Sequence, residues 1–223
     1  MQELRSSTTR ESILDTAEAL FAQQGHDGTS MRQITGAAGV NLASVNYHFG
    51  SKEVLFQAVL TRRLDAMNQE RIELLEALER EARPPSCEKV IFAMLIPALR
   101  LARDEKRGGK NFLRVLGRAY ADPAPFIRHF LHAQYAGMIA RYKEAFLRAL
   151  PHLSKQELTW RLHFVMGALS YTLAGTDSHK LFQQMGGTDD DELLLQRLAP
   201  FLVAGLKAPP MADSRKLELV AGE

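Results

Sequence analysis

Residues 29–56 read TSMRQITGAAGVNLASVNYHFGSKEVLF and contain two short helical segments separated by a glycine. Thr29-Ser30 can cap the first segment with a hydroxyl group, and Gly39 ends it. The second segment covers residues 42–48. Two short helices joined by a tight, glycine-containing turn predict a helix-turn-helix unit over residues 30–49.

The residue types of this unit suit insertion of its second helix into a DNA major groove. Ile34, Ala37, Ala38 and Val45 give an inner face that is small enough for the two helices to cross closely. Short polar side chains at the start of the second helix let its backbone approach the base edges. The pattern alone leaves DNA binding and a purely structural helix pair equally open.

The same run resembles the N-terminal domain of the TetR family of bacterial transcriptional repressors. The preceding run ILDTAEALFAQQGHDGTS, residues 13–30, extends the resemblance, as do His48-Phe49 and the following Ser51-Lys52-Glu53. One departure is Asn46, where the family commonly has tyrosine; an amide at this position can pair with adenine.

The resemblance implies a set of DNA contacts. Tyr47, His48 and Lys52 lie where family members meet phosphates, and Lys52 and Thr29-Ser30 also lie at helix N-termini, which attract phosphate. Phe49 is expected in the core. The predicted DNA-binding residues are Thr29, Ser30, Asn41, Leu42, Ala43, Ser44, Asn46, Tyr47, His48 and Lys52.

The charge distribution runs against a simple electrostatic picture of DNA binding. The net charge is −2 over residues 1–60, +6 over residues 61–150 and −2 over residues 151–223. Helix-terminal amides and neutral donors therefore have to supply many of the phosphate contacts. Because few cations displace counterions, we expect operator binding to depend only modestly on salt.

The whole chain follows helical periodicity, which predicts an all-α fold. We expect a first helix that starts at the capping box Thr8-x-x-Glu11 and a long fourth helix that runs to about residue 82. Further helices are predicted at about 86–104, 111–121, 125–150, 154–174 and 190–206. The expected domains are a helix-turn-helix domain at 1–52, a ligand-binding and dimerisation domain at 53–208 and a flexible tail at 209–223.

Aromatic and aliphatic stripes in the second domain fit plain core or an effector cavity. The resemblance favours the cavity, and NFLRVLGRAY, WRLHFVMGALSY and APFLVAGLKA also resemble a pseudomonad subgroup that senses fatty acids or their coenzyme A esters. The cluster Arg103, Lys106, Arg107, Lys110, Arg114 and Arg118 can hold an acidic head group or be a solvated face. Arg161 and His163 can line the pocket or pair structurally. The predicted ligand-binding residues are Phe92, Leu95, Leu99, Arg103, Phe112, Leu116, Arg118, Tyr120 and Phe130.

The last two helices are apolar on more than one face, which fits either a thick core pair or a dimer interface. A two-fold partner that forms an intermolecular four-helix bundle is the simpler explanation, given the resemblance. The predicted dimerisation residues are Leu162, Val165, Leu169, Leu198, Phe201 and Leu202.

Other protein classes receive little support. The single cysteine, Cys87, excludes a disulfide scaffold and a multi-cysteine zinc site, and the acidic run at residues 189–192 is better explained as a helix cap than as a metal site. No catalytic motif occurs. Without a long apolar run or a signal peptide, we expect a cytoplasmic protein.

These observations predict a homodimeric repressor that a hydrophobic effector releases from a near-palindromic operator, with no cofactor and no metal. The rival hypothesis is an enzyme or lipid carrier that uses the C-terminal cavity.

Overall fold

The computed structural model describes residues 2–104, 109–174 and 191–210, which form helices joined by short turns. The helices are α1 (Gln2–Gln24), α2 (Met31–Ala38), α3 (Leu42–Phe49), α4 (Lys52–Glu79), α5 (Cys87–Arg103), α6 (Gly109–Ala121), α7 (Pro125–Ala149), α8 (Lys155–Leu173) and α9 (Asp191–Lys207). No strand occurs in these ranges, so the all-α prediction is confirmed.

The first helix begins earlier than the capping box predicted. Thr8 lies inside α1, which starts at Gln2. The preceding residues Gln2, Glu3, Leu4 and Arg5 are good helix formers, so nothing in their sequence stops the helix at a threonine. The predicted start was therefore wrong, and α4 ends three residues before its predicted end.

A continuous apolar core joins the first three helices to the bundle behind them. Ile13 and Phe21 of α1, Ile34 of α2 and Val45 of α3 are fully buried, and they belong to one cluster with Phe112 of α6. The predicted boundary at residue 52 coincides with the start of α4, but the core crosses it. A shift in the bundle can therefore reach the helix-turn-helix unit through packed side chains.

A second core holds the rest of the bundle and contains residues of α5, α7, α8 and α9. Helices α6 and α8 approach closely at Gly117, where an added Cβ would lie 2.5 Å from the backbone nitrogen of Ala174. The Ser170 hydroxyl donates to the Gly117 carbonyl over 2.7 Å across this contact. Glycine is thus required here by backbone proximity.

Candidate DNA interface and effector cavity

Local capping fixes both helices of the helix-turn-helix unit. Ser30 and Gln33 form a capping box on α2. The backbone N–H of Gln33 donates to Ser30 Oγ, and the backbone N–H of Ser30 donates to Gln33 Oε1. Gly39 ends α2 with φ +66°, a left-handed conformation that glycine adopts without strain. Asn41 caps α3, since its Oδ1 accepts from Ser44 N over 2.7 Å.

The outer face of α3 is free of intramolecular packing. Val45 and Phe49 point into the core, whereas Leu42, Ala43 and Asn46 are exposed, and Ser44 and His48 are half-buried. Tyr47 is 83% exposed and its ring meets only the neighbouring His48 ring at 5.2 Å. Because this aromatic ring is not packed into the core of the protomer, it is available to contact a binding partner.

Two predicted DNA contacts have structural duties. Thr29 is 1% exposed and its hydroxyl donates to the Gly25 carbonyl over 2.8 Å. Lys52 Nζ donates to the carbonyls of His26 and Thr29 over 2.9 and 3.0 Å. Thr29 is too buried to reach a ligand, which corrects that prediction. Lys52 ties α4 to the turn before α2, and its predicted phosphate contact stays a prediction.

The negative charge of residues 1–60 is largely offset by arginines just beyond that segment. Arg62 of α4 pairs with Asp15, Glu11 and Glu18 of α1 at 2.7, 3.2 and 2.7 Å, and Arg63 lies 3.4 Å from Glu18. Three of the six acidic side chains in residues 1–60 are therefore neutralised by α4. The net charge of −2 counted for residues 1–60 alone therefore overstates the negative charge of this region in the folded protein.

A cavity of about 540 Å³ lies inside the bundle, between α4, α5, α6, α7 and α8. Its wall is mostly aliphatic and aromatic. Among the predicted ligand residues, the lining contains Leu95, Leu116 and Tyr120. A largely apolar, partly enclosed space of this size is typical of a small-molecule site.

A small polar group lies on the α4 side of this cavity. Arg71 is 8% exposed and donates from Nε to the Met94 carbonyl and from Nη1 to Asn68 Oδ1, both over 2.9 Å. Tyr142 donates its hydroxyl to the Arg71 carbonyl over 2.9 Å, and burial raises its pKa to about 12. Tyr135, also in the lining, donates to Asp65, and burial together with this carboxylate raises its pKa.

Six predicted ligand residues lie outside the lining, which corrects the prediction. Phe112 is fully buried in the first core, where Phe130 packs against the same cluster, and Leu99 packs against the second. Phe92 is on the outer side of α5, in a shallow groove with α9. The remaining two are Arg103, which is exposed, and Arg118, whose Nη2 donates to the Gln23 carbonyl of α1.

Arg161 and His163, which could line the pocket or pair structurally, take different roles. Part of the basic cluster, Lys106 and Arg107, lies outside the described residues. Arg161 is buried and donates to the carbonyls of Leu206 and Pro209, so it caps the C-terminus of α9. His163, in contrast, lines the cavity.

Sequence reasoning missed most of the actual lining. The predicted ligand set took only Phe130 from α7, although Leu131, Tyr135, Met138 and Tyr142 of that helix face the cavity. Sequence reasoning also assigned Leu162, Val165 and Leu169 of α8 to the dimer interface, whereas they line the cavity. The useful signal was the mixture of methionine, tyrosine and histidine on α7, which is unusual for a closed core.

The exposed apolar residues of α8 and α9 are mostly not the ones that were predicted to form the dimer interface. Val165, Leu169 and Leu202 are buried within the protomer, and Leu162 and Leu198 are half-buried, which corrects the predicted dimerisation set. Phe201 alone of that set is largely exposed, at 68%. We call Trp160, Phe164, Tyr171 and Phe201 the aromatic face, since these four side chains project from α8 and α9 into solvent.

Two other types of site are absent from the described ranges. None of the helices there has an apolar stretch long enough to cross a bilayer. No group of three potential metal ligands comes together in the same part of the chain.

The sequence matches two family models. Residues 13–59 match that of bacterial regulatory proteins of the tetR family, and residues 93–205 match that of the tetracyclin repressor-like C-terminal domain. Among curated relatives, the transcriptional regulator AcrR of Shigella flexneri is 45% identical over 51 residues, 23% of this chain and 24% of that protein. The biofilm operon negative regulator IcaR of Staphylococcus aureus is 32% identical over 59 residues, 26% of this chain and 32% of that protein. These matches span about a quarter to a third of those relatives.

Solved structures extend the similarity of fold to nearly the whole chain. AibR, solved with isovaleryl coenzyme A and operator DNA, has a TM-score of 0.60 at 21% identity, covering 90% of this chain and 99% of that one. FadR of Bacillus subtilis, solved with stearoyl-CoA, has a TM-score of 0.55 at 17% identity, covering 87% and 98%. The C-terminal model alone spans just over half of the sequence. The chain therefore belongs to the TetR family of bacterial regulatory proteins, which are DNA-binding transcriptional regulators and not enzymes.

Proposed function

We propose that this protein is a homodimeric cytoplasmic repressor that a hydrophobic small molecule releases from a near-palindromic operator. The observation that carries the proposal is the combination of a capped, outward-facing α3 with an apolar cavity of about 540 Å³ in the same chain. One element reads DNA and the other admits a ligand.

The DNA-reading element is α3. Asn41, Leu42, Ala43, Ser44 and Asn46 face base edges in the major groove, while Tyr47 and His48 contact phosphates. Ser30 Oγ is engaged in the capping box, so it serves DNA by holding the N-terminus of α2 rather than by a free hydroxyl.

The dimer forms through the aromatic face. Trp160 and Phe164 stack with ring centroids 6.2 Å apart, and both are more than half exposed. Burial of such rings against a second copy follows the pattern of interface anchors. Two-fold symmetry then places the two copies of α3 about 34–36 Å apart, one duplex turn or a multiple of it, which requires a symmetric operator.

Release by the ligand follows from linkage. Helix α4 carries Lys52 at the helix-turn-helix unit and Arg71 at the cavity, about 28 Å further along the helix. Helix α6 lines the cavity through Leu116 and touches α1 through Arg118. A ligand that moves either helix changes the spacing of the two copies of α3, so it binds the free protein more tightly than the DNA-bound protein.

The test is a selection of DNA duplexes followed by a ligand screen. Purified protein is incubated with random and genomic duplexes, and bound sequences are determined. A thermal-shift screen with fatty acids, acyl-CoAs and neutral hydrophobes then identifies ligands, which are competed against the selected DNA. An inverted repeat and release by at least one ligand support the proposal. Ligand binding without any DNA selection would favour a lipid carrier and refute it.

A further inference from the structure

The buried guanidinium of Arg71 is the unusual feature of the cavity. It has five N–H donors, and its two hydrogen bonds go to neutral oxygens, the Met94 carbonyl and Asn68 Oδ1. No carboxylate in the described part of the chain forms an ion pair with it. A buried cation is normally paired with an anion, because removal from water is costly.

Asn68 adds an unsatisfied buried donor at the same place. It is 6% exposed, and since its Oδ1 accepts from Arg71, its Nδ2 points elsewhere; that nitrogen is buried and has no acceptor. Both residues line the cavity. In the described part of the chain, no carboxylate balances the charge of Arg71 and no acceptor meets Asn68 Nδ2, so this corner of the cavity offers a positive charge and a free N–H donor.

The remainder of the lining selects for an anion with an apolar body. Arg128, His132, Lys143 and His163 are its other basic residues, and no aspartate or glutamate belongs to it. These four are exposed or half-buried, whereas Arg71 is buried. The walls between are aliphatic and aromatic. A ligand group that reaches the buried part of the cavity next to Arg71 is therefore favoured when it carries a negative charge.

We infer that the effector is an amphiphilic carboxylate whose carboxylate binds Arg71 and Asn68 while its hydrocarbon part lies against α7 and α8. The inference rests on the proposed function, in which this cavity holds the effector. A carboxylate accepts side-by-side hydrogen bonds from a guanidinium and carries the single charge that Arg71 offsets. A coenzyme A ester fits less well, because its thioester is neutral and leaves Arg71 unpaired.

The experiment compares matched ligands by calorimetry on the full-length protein, without DNA. Straight-chain alkanoates from octanoate to tetradecanoate are titrated beside the alcohols of the same length. We expect the alkanoate to bind about ten- to a hundredfold more tightly than its alcohol. Arg71→Gln removes most of that preference and leaves alcohol binding nearly unchanged, whereas Arg71→Lys keeps part of it.

Two further variants make the result decisive. Asn68→Asp retains an oxygen for Arg71 but supplies an internal anion, so it abolishes the preference even if Arg71→Gln proves unstable. Lys155→Gln removes one positive charge at an exposed position outside the lining, so it changes alkanoate affinity less than about threefold. Far-UV circular dichroism and operator affinity without ligand check that each variant is folded.

Equal affinity of alkanoate and alcohol in the wild type would overturn the inference. So would a preference that survives both Arg71→Gln and Asn68→Asp, tighter binding of the coenzyme A ester than of the free acid, or an equal loss of the preference in Lys155→Gln. The proposed function fails separately, if the wild type selects no operator or no ligand releases it, because calorimetry measures the carboxylate preference in the absence of DNA.

Discussion

The helix-turn-helix region and the helical bundle use similar apolar side chains but are packed to different degrees. Around Phe21, the side chains of Ile13, Leu14 and Ile34 are completely buried. In the bundle, Leu131 and Met138 are only half-buried, beside about 540 Å³ of open space. The first arrangement holds a DNA-reading helix rigid, and the second keeps room for a ligand.

The largest expected effect tests this difference in packing directly. Phe21→Ala should lower the free energy of unfolding by about 3–5 kcal/mol, since it removes a fully buried ring that meets Phe56 at 5.0 Å. Leu131→Ala should cost roughly 1–2 kcal/mol, because its side chain already borders a cavity and is partly exposed. Urea unfolding at one fixed protein concentration measures both. Equal costs would mean that the two regions are packed alike.

The next effect concerns the aromatic face, which belongs to the bundle and not to the helix-turn-helix unit. Phe164 is 64% exposed in the protomer, and the proposed dimer buries it. Phe164→Glu should raise the dimer dissociation constant at least about tenfold, because it places a charge in the proposed interface. Val54→Glu is the matched control, since Val54 is 48% exposed and lies at the start of α4. Sedimentation velocity over a concentration series distinguishes them. A wild type that is monomeric, or a Phe164→Glu variant that dimerises normally, contradicts the assignment of this face.

A smaller effect separates structural from DNA-contacting residues within the helix-turn-helix region. Lys52→Met removes two hydrogen bonds from an ammonium group to buried backbone carbonyls and should cost about 2 kcal/mol of stability. Arg32→Met, at an exposed position of α2, should change stability by less than about 0.5 kcal/mol. Thermal unfolding compares the two. If Lys52→Met melts like the wild type but binds DNA poorly, Lys52 is a phosphate ligand after all.

The smallest effect is an ion pair on the bundle surface. Lys207 of α9 donates to Glu88 of α5 over 2.8 Å, which holds the pKa of Glu88 at about 2, below its usual 4.5. A carboxylate whose pKa is lower in the folded state stabilises the fold above about pH 4.5, and this contribution is lost as the pH falls towards 2. Glu88→Gln should lower the melting temperature at pH 7 by about one or two degrees, since the pair is exposed.

The control for this ion pair is the pH dependence of the difference in melting temperature between the wild type and Glu88→Gln. The melting temperatures of the wild type and Glu88→Gln should converge between pH 4.5 and about 2, as the wild-type carboxylate takes up its proton. A difference that stays constant down to pH 2 would mean that the ion pair is not its source.

The two regions also differed in how well the sequence predicted them. The predicted bounds of α2 and α3 agree with the structure to within a residue or two, because Ser30, Gly39 and Asn41 specify the ends through local hydrogen bonds and backbone conformation. The capping of α2 depends on near neighbours in the chain. Local signals of this kind can be read from one sequence.

The cavity could not be read in the same way. Its lining comes from five helices, and whether Phe112 or Met138 faces it depends on how α6 and α7 are rotated against their neighbours. Asn68 and Arg71 are polar residues within an otherwise apolar face of α4. The periodicity of the sequence does not show which residues they contact. The role of Lys52 likewise depends on carbonyls more than twenty residues away.

The outer face of α3 is central to the proposed function, and Tyr47, which is 83% exposed, projects from it. The decisive measurement is fluorescence anisotropy of wild type and Tyr47→Ala on the inverted repeat recovered by DNA selection, with sedimentation velocity on the same samples. The account predicts that Tyr47→Ala weakens binding at least about tenfold while the melting temperature and the dimer are unchanged. Unchanged affinity of a folded, dimeric Tyr47→Ala protein would contradict it.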